Sequence, residues 1–341
     1  MGKYIVKRFL YIILVFLILS FLLFLIYNML PIDKAAATAM EEMKNDKTHQ
    51  LVYEERYQYW SEKYGTNGNK LERYGRWIGF YPYADGTFNG MLQGNFGESQ
   101  QYGKPVVEVI IEPMKNTILI NIFATILALG ITIPLGIFCA VKRGSRRDIA
   151  VQVGTIVGYS LPVFIIAIVF IWLFSVMLGW FPVSGMQTVG YLDWSPAKQF
   201  WDKMYHMALP LIVMTFCSLG GMTRYVRASM IEALSMDCIK TARAKGLREK
   251  VVIYSHAWRN ALIPIVTLVI GWFLGIFSGS LMIENIFAIN GIGRVYYQAL
   301  TVNDNEVVLA LQMFYISISL VGNLIIDIAY GFIDPRIRVN K

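Results

Sequence analysis

Residues 241–264 read TARAKGLREKVVIYSHAWRNALIP. The stretch is polar and basic inside a chain that is otherwise close to hydrocarbon. Lys240, Arg243, Lys245, Arg248 and Lys250 stand against a single acid, Glu249. Gly246 divides the stretch into two short helical runs, because a helix C′ position takes φ > 0 and glycine has no Cβ to resist it. The first run carries Ile239 and Ala242 on one side. The second carries Val252, His256 and Arg259 at i, i+4 and i+7, a spacing that predicts a shared face. A compact helix–turn–helix between two membrane spans is expected, shaped to enter a partner's groove.

The surrounding chain sets that expectation. At 341 residues, 56% apolar and 16% charged, it departs from ordinary soluble composition. Several runs reach roughly 20 apolar residues, the length that crosses a bilayer. They are continuous rather than alternating, so the fold class is an all-α integral membrane protein, not a barrel. Cys139, Cys217 and Cys238 fall in or beside predicted spans, which argues against a disulfide framework or a cysteine metal site.

Lys3, Lys7 and Arg8 precede an apolar run from Phe9 to Leu30 that is longer than a signal-peptide core, so a retained first span is predicted over a cleaved leader. Residues 1–30 form this N-terminal segment, and residues 31–112 form a small extracytoplasmic cap, polar and aromatic, with a short helix around Tyr53, Tyr57, Tyr59 and Trp60. Residues 113–341 form a five-helix core with a cytoplasmic loop at about 228–262. Its spans fall near 117–141, 149–179 (kinked at Pro162), 207–222, 265–283 and 307–333. Trp180 sits at the interface, and Asp334-Pro335-Arg336-Ile337-Arg338 follows the last span.

Charge orients the chain. Basic residues far outnumber acids in the N-terminus, Lys142–Asp148, Arg224–Arg259 and the C-terminal tail, whereas acids outnumber bases on the opposite side. Basic loops stay cytoplasmic, so both termini and the 241–264 stretch face the cytoplasm. The net charge of +8 is thus a topology signal and excludes a nucleic-acid partner.

Catalytic signatures are missing. The nearest approach to a Walker A loop, Gly97…Gly103-Lys104, is one residue too long and ends in Pro105. His49, His206 and His256 are scattered, so no zinc cluster is expected and no metal or cofactor is assigned to this chain. Asp327, with Asn323 one turn before it, reads as an interhelical hydrogen bond over a proton relay. Glu284 reads evenly as lining an exit or sitting at the interface. Gly271, Gly275 and Gly279, at i, i+4 and i+8, predict a close helix contact over a glycine-lined pathway.

The sequence of the basic stretch is more specific than its charge. Thr241-Ala242-Arg243-Ala244-Lys245-Gly246-Leu247, followed by His256-Ala257, Arg259-Asn260-Ala261-Leu262 and Pro264, resembles the cytoplasmic loop of ATP-binding-cassette importer permeases of the dipeptide/oligopeptide/nickel family. Gly94-Asn95-Phe96-Gly97-Glu98-Ser99, Phe181-Pro182-Val183-Ser184-Gly185, Glu284-Asn285-Ile286-Phe287, Gly291-Ile292-Gly293-Arg294 and Asp334-Pro335-Arg336 resemble the same family in the same order. The long segment after the first span is similar to the B-type subunit of the oligopeptide permeases. Lys240-Thr241-Ala242 stands where the broader consensus has Glu-Ala-Ala, a departure usual for the peptide branch. Asn290 replaces a common proline, and Phe80–Gly90 is longer than usual.

The resemblance implies a type I importer permease fold with six transmembrane helices. It also implies a bacterial or archaeal cell membrane, a second homologous permease, two ATPase subunits and an extracytoplasmic solute-binding protein. ATP and Mg would be used by those ATPases. Gly246 would allow the sharp turn, Arg243, Lys245 and Arg248 would meet acidic or polar groups, and Ala242, Ala244 and Leu247 would fill the ATPase groove. Peptide cargo is favoured over nickel, opines or sugars. A secondary transporter or channel driven by ion gradients is the alternative, and it predicts paired intramembrane charges or inverted repeats, which are scarce here. A transport-free scaffold would not need the detailed loop sequence.

Overall fold

The computed structural model describes residues 2–29, 34–45 and 52–333. His49 and the Asp334–Arg338 tail lie outside them. Every named element among the described residues is a helix. Three short helices follow α1 (Gly2–Tyr27): α2 (Lys34–Asn45), α3 (Tyr53–Lys63) and α4 (Lys70–Ile78). Then come α5 (Val106–Val141), α6 (Arg146–Ser160), the short α7 (Val163–Phe170) and α8 (Pro196–Ser235). The remainder comprises α9 (Asp237–Ala244), α10 (Glu249–Val251), α11 (Trp258–Gly275), α12 (Leu281–Ile286), α13 (Ile292–Thr301) and α14 (Asn305–Ile333).

Among the described residues four helices are long and apolar enough to cross a membrane, and two sharply bent pairs raise the possible spans to six. With 40 residues, α8 is about 60 Å long, twice the hydrocarbon thickness, so it extends beyond the bilayer. Its last turns carry the chain directly into α9.

Both bent pairs differ from the sequence expectation. The third span is broken rather than kinked: α6 and α7 meet at 105°. Proline drives its predecessor out of the helical region, and Leu161 is extended at φ −88°, ψ 138° before Pro162 starts α7. The fifth span bends by 63° around Pro264 and ends at Gly275, short of the expected Ile283.

The glycine expectation is corrected as well. Gly279 lies past the end of α11, and a Cβ at Gly271 or Gly275 would meet nothing within 4 Å. Of the three, Gly279 alone makes a close approach, a built Cβ falling against the Gly293 amide nitrogen, and tight helix-on-helix packing occurs elsewhere. At Gly220 on α8 a Cβ would fall 2.6 Å from the Thr155 carbonyl on α6, so only glycine admits this helix approach.

The described chain divides into two compact units. One comprises residues 112–298 with 321 onwards, and the other residues 2–111 with 299–320. In the first, Met222, Val226, Met230 and Ala233 of α8 pack with Ile137, Ile239, Ala242 and the 252–265 segment. In the second, Ile78, Met91 and Met313 form a small core flanked by Tyr74, Trp77 and Phe96. The α4 helix there starts at an Asn69 capping box with Glu72 and ends on Gly79 at φ +104°.

Candidate functional site

Thr241–Pro264 forms a helix, a glycine turn and a second helix. The α8 helix stops at Met236, which is extended (φ −65°, ψ 147°) and lets α9 restart at once in a new direction. Thr241 Oγ1 donates to the Asp237 carbonyl at 3.0 Å, and Lys240 pairs with Asp237 at 2.8 Å. At the turn, Lys245 and Gly246 amides donate to the Thr241 and Arg243 carbonyls, with Gly246 at φ +74°. A Cβ there would meet nothing within 4 Å, so the backbone angle alone selects glycine.

Burial sorts the stretch into two faces. Ile239 and Ala242 are fully or nearly buried with Val226, Met230 and Ala233 of α8 and with Val252, Ile253, Ala257 and Ala261. Thr241, Arg243, Ala244, Lys245, Gly246, Leu247 and Arg248 are exposed. Ala242 therefore cannot fill a partner's groove, because this chain's own core already covers it. Ala244 and Leu247 remain available.

Arg243 closes over the turn, donating to the Glu249 carboxylate at 2.7 and 3.3 Å. The pair is half exposed, so it is a weak clasp that another carboxylate could displace. Lys245 and Arg248 flank it on the open face.

The shared face of Val252, His256 and Arg259 does not form. Val252 is buried while His256 and Arg259 are exposed, because residues 252–257 make a π-helical turn. Its wider winding spaces Val252 and Ala257 five apart on the buried side. Asn260 is half-buried and donates to the His256 carbonyl at 2.8 Å.

A further anchor was not visible as a pair in the sequence. Arg227, near the end of α8, donates through Nε and Nη2 to Asp148 at 2.8 Å each. Asp148 is 1% exposed and also accepts from the Gly144 amide (2.9 Å) and Gln152 (3.0 Å). This ties the 142–148 turn to the part of α8 that leads into α9. Each residue had carried only a topology signal in the sequence. Their separation of 79 residues gave no local clue.

Within this chain Glu284 is enclosed by other residues. It is 1% exposed on α12 and accepts from Thr117 Oγ1 (2.9 Å) and from the Arg294 (3.0 Å) and Ser280 (3.2 Å) amides. Thr117 Oγ1 accepts in turn from the Ile292 amide at 2.9 Å. A Cβ at Gly291 would lie 2.5 Å from the Glu284 carboxyl carbon, so the Gly291-Ile292-Gly293 motif lets backbone reach the buried acid. Asn121 on α5 completes the support by donating to the Ile276 and Ser278 carbonyls, both at 2.9 Å, where α11 has just ended. On α14, Asn323 is exposed and Asp327 half-buried one turn further on.

Apolar helices of spanning length and a packed helix–turn–helix bearing a basic outer face define a multi-pass membrane component. The family described as binding-protein-dependent transport system inner membrane component matches residues 132–339, and this chain belongs to it. It is 35% identical over 342 residues to the oligopeptide transport system permease protein AppB of Bacillus subtilis, covering 99% of this chain and all of that one. It is 36% identical over 269 residues to the dipeptide transport system permease protein DppB of Escherichia coli K12, covering 74% of this chain and 79% of that one. Among solved structures, the MetNI methionine ABC transporter in inward-facing form matches with a TM-score of 0.48 at 18% identity, covering 65% of this chain and 96% of the other.

Proposed function

We propose that this chain is a permease subunit of an ATP-driven peptide importer. It forms the membrane pathway with a second permease of the same family, receives cargo from an extracytoplasmic binding protein and is driven by two cytoplasmic ATPase subunits. ATP and Mg act in those ATPases, and this chain binds neither. Both termini and the 241–264 stretch lie in the cytoplasm, following the basic loops. Peptide cargo is supported by the oligopeptide and dipeptide permeases among its relatives.

The division of α9 carries the coupling role. Its inner face is packed against α8 and the 252–265 segment, while Arg243 and Ala244 on its other side, with Lys245, Leu247 and Arg248 of the turn that follows, stay exposed. A partner gripping the outer face would move α8 and α11 with α9, because separating them would expose Ile239 and Ala242 to water. The loop transmits work as a rigid handle.

The test uses the reconstituted complex with Gly246→Asp. Aspartate tolerates φ > 0 better than most residues but sets a carboxylate among the docking cations. Transport-coupled ATP hydrolysis should fall by about 10-fold or more. Unchanged hydrolysis would remove the docking role.

A further inference from the structure

The polar segment following α1, with the last turn of α1 and the first turns of α14, lines a cleft of about 1060 Å³ whose walls all belong to one compact unit. Basic and acidic side chains line it in equal number, four of each, so a ligand of either single sign would be repelled by half the wall. Tyr59, Tyr64 and Trp77 supply aromatic faces between the charges.

The polar groups are held in place. Arg76, 9% exposed, donates to the Asn67 and Gly65 carbonyls at 2.5 and 3.3 Å. Arg73 donates to Asn28 Oδ1 at 2.5 Å. Lys34 lies 3.3 Å from Glu306 and 4.7 Å from the centre of the Tyr64 ring. Ser99 donates to buried Asp304, which also accepts from the Gln101 amide at 3.2 Å, and this fastens Glu98 beside the first turn of α14. Burial, together with nearby Glu306, pushes the Tyr83 phenol up, so it stays a neutral hydrogen-bonding wall.

We propose that this cleft is a binding site for short peptides with both ends free. The carboxylates of Glu98 and Glu306 receive the α-ammonium, Lys63 and Arg73 receive the α-carboxylate, and side chains of varied shape rest on the aromatic faces. A zwitterion satisfies both halves of a charge-balanced wall, and aromatic faces accept many side chains without selecting one. The volume suits a small ligand rather than a protein surface, which would cover about 800 Å² per partner. A sugar could use the rings but would bring no opposite charge to Glu98, Lys63 or Arg73. The inference rests on the peptide reading above, and it adds a site at the C-terminal end of α1 and the N-terminal end of α14.

The test is calorimetric titration of the full chain in lipid nanodiscs with tetra-alanine, its N-acetylated form, its C-amidated form and maltotriose. Tetra-alanine should bind, and either blocked form should bind about 10-fold more weakly. Glu306→Gln should weaken tetra-alanine by a similar factor. Exposed Lys63→Gln should do the same at an unchanged melting temperature, and it keeps the test open if the Glu306 variant fails to fold. Equal binding of free and blocked peptides, no binding at millimolar tetra-alanine, or binding of maltotriose in its place overturns the proposal. Peptide uptake by the assembled transporter is measured in parallel. Uptake without cleft binding sinks this site alone, whereas absence of peptide uptake sinks the reading beneath it.

Discussion

Arg227 on α8 grips Asp148 on α6 through two hydrogen bonds of 2.8 Å, and Asp148 has almost no other route to water. The pair fixes the last turns of α8, from which α9 departs. Losing one partner of a buried pair leaves the other charge uncompensated. Arg227→Leu should therefore destabilise the protein by on the order of 3 kcal/mol, the low end of the range because Arg227 itself is one-fifth exposed. Thermal unfolding in detergent measures this. Arg227→Lys should recover only part of the loss, since an ammonium cannot make the two-pronged contact.

At Gly246 the constraint is angular. With open space around a built Cβ and φ at +74°, side-chain size should matter less than tolerance of the left-handed region. Gly246→Val should strain the turn by about 1–2 kcal/mol or more, whereas Gly246→Asn should remain close to the parent. Hydrogen exchange of the 241–248 amides distinguishes the two, with faster exchange expected only for the valine variant.

Glu284 supplies a stability test and an access test. Replacing it with alanine strands the Thr117 hydroxyl and the Arg294 and Ser280 amides, each unsatisfied group costing about 1–3 kcal/mol. A large drop in melting temperature is expected for Glu284→Ala and a smaller one for Glu284→Gln. Glu284→Cys should resist water-soluble thiol reagents, and rapid labelling would return this residue to a water-filled pathway.

Acid sensitivity should appear between α2 and α3. Glu42 accepts from Arg56 at 2.6 and 2.8 Å and from Trp60 Nε1 at 2.9 Å, and these bonds, Arg56 foremost, hold its carboxyl below the usual range. A depressed carboxylate stabilises the fold above its unfolded pKa and loses that contribution as pH falls through the folded value. Exchange of α2 and α3 amides should therefore rise below about pH 4. Glu42→Gln should flatten that acid response.

The helix–turn–helix was legible because its cues are local. Gly246 marks a C′ position, and Ile239 and Ala242 share a helical side. Misreadings arose where geometry departs from the regular helix that spacing assumes. The π-turn at Val252–Ala257 rotates His256 and Arg259 away from Val252. Pro162 broke a span it was expected only to bend, because Leu161 before it became fully extended. Ala242 was assigned to a partner because the pattern of one helix cannot say whose core covers it.

By itself the sequence determined that this chain crosses a membrane through apolar helices and carries a basic glycine-hinged loop. Hydrophobic length and local backbone preference act within one or two turns. Only tertiary structure decided which groups meet: Arg227 with Asp148, Thr117 with Glu284, and the charges of the cleft beside α4. Those contacts join residues far apart in the chain, and they form because a buried charge must find partners wherever packing brings them.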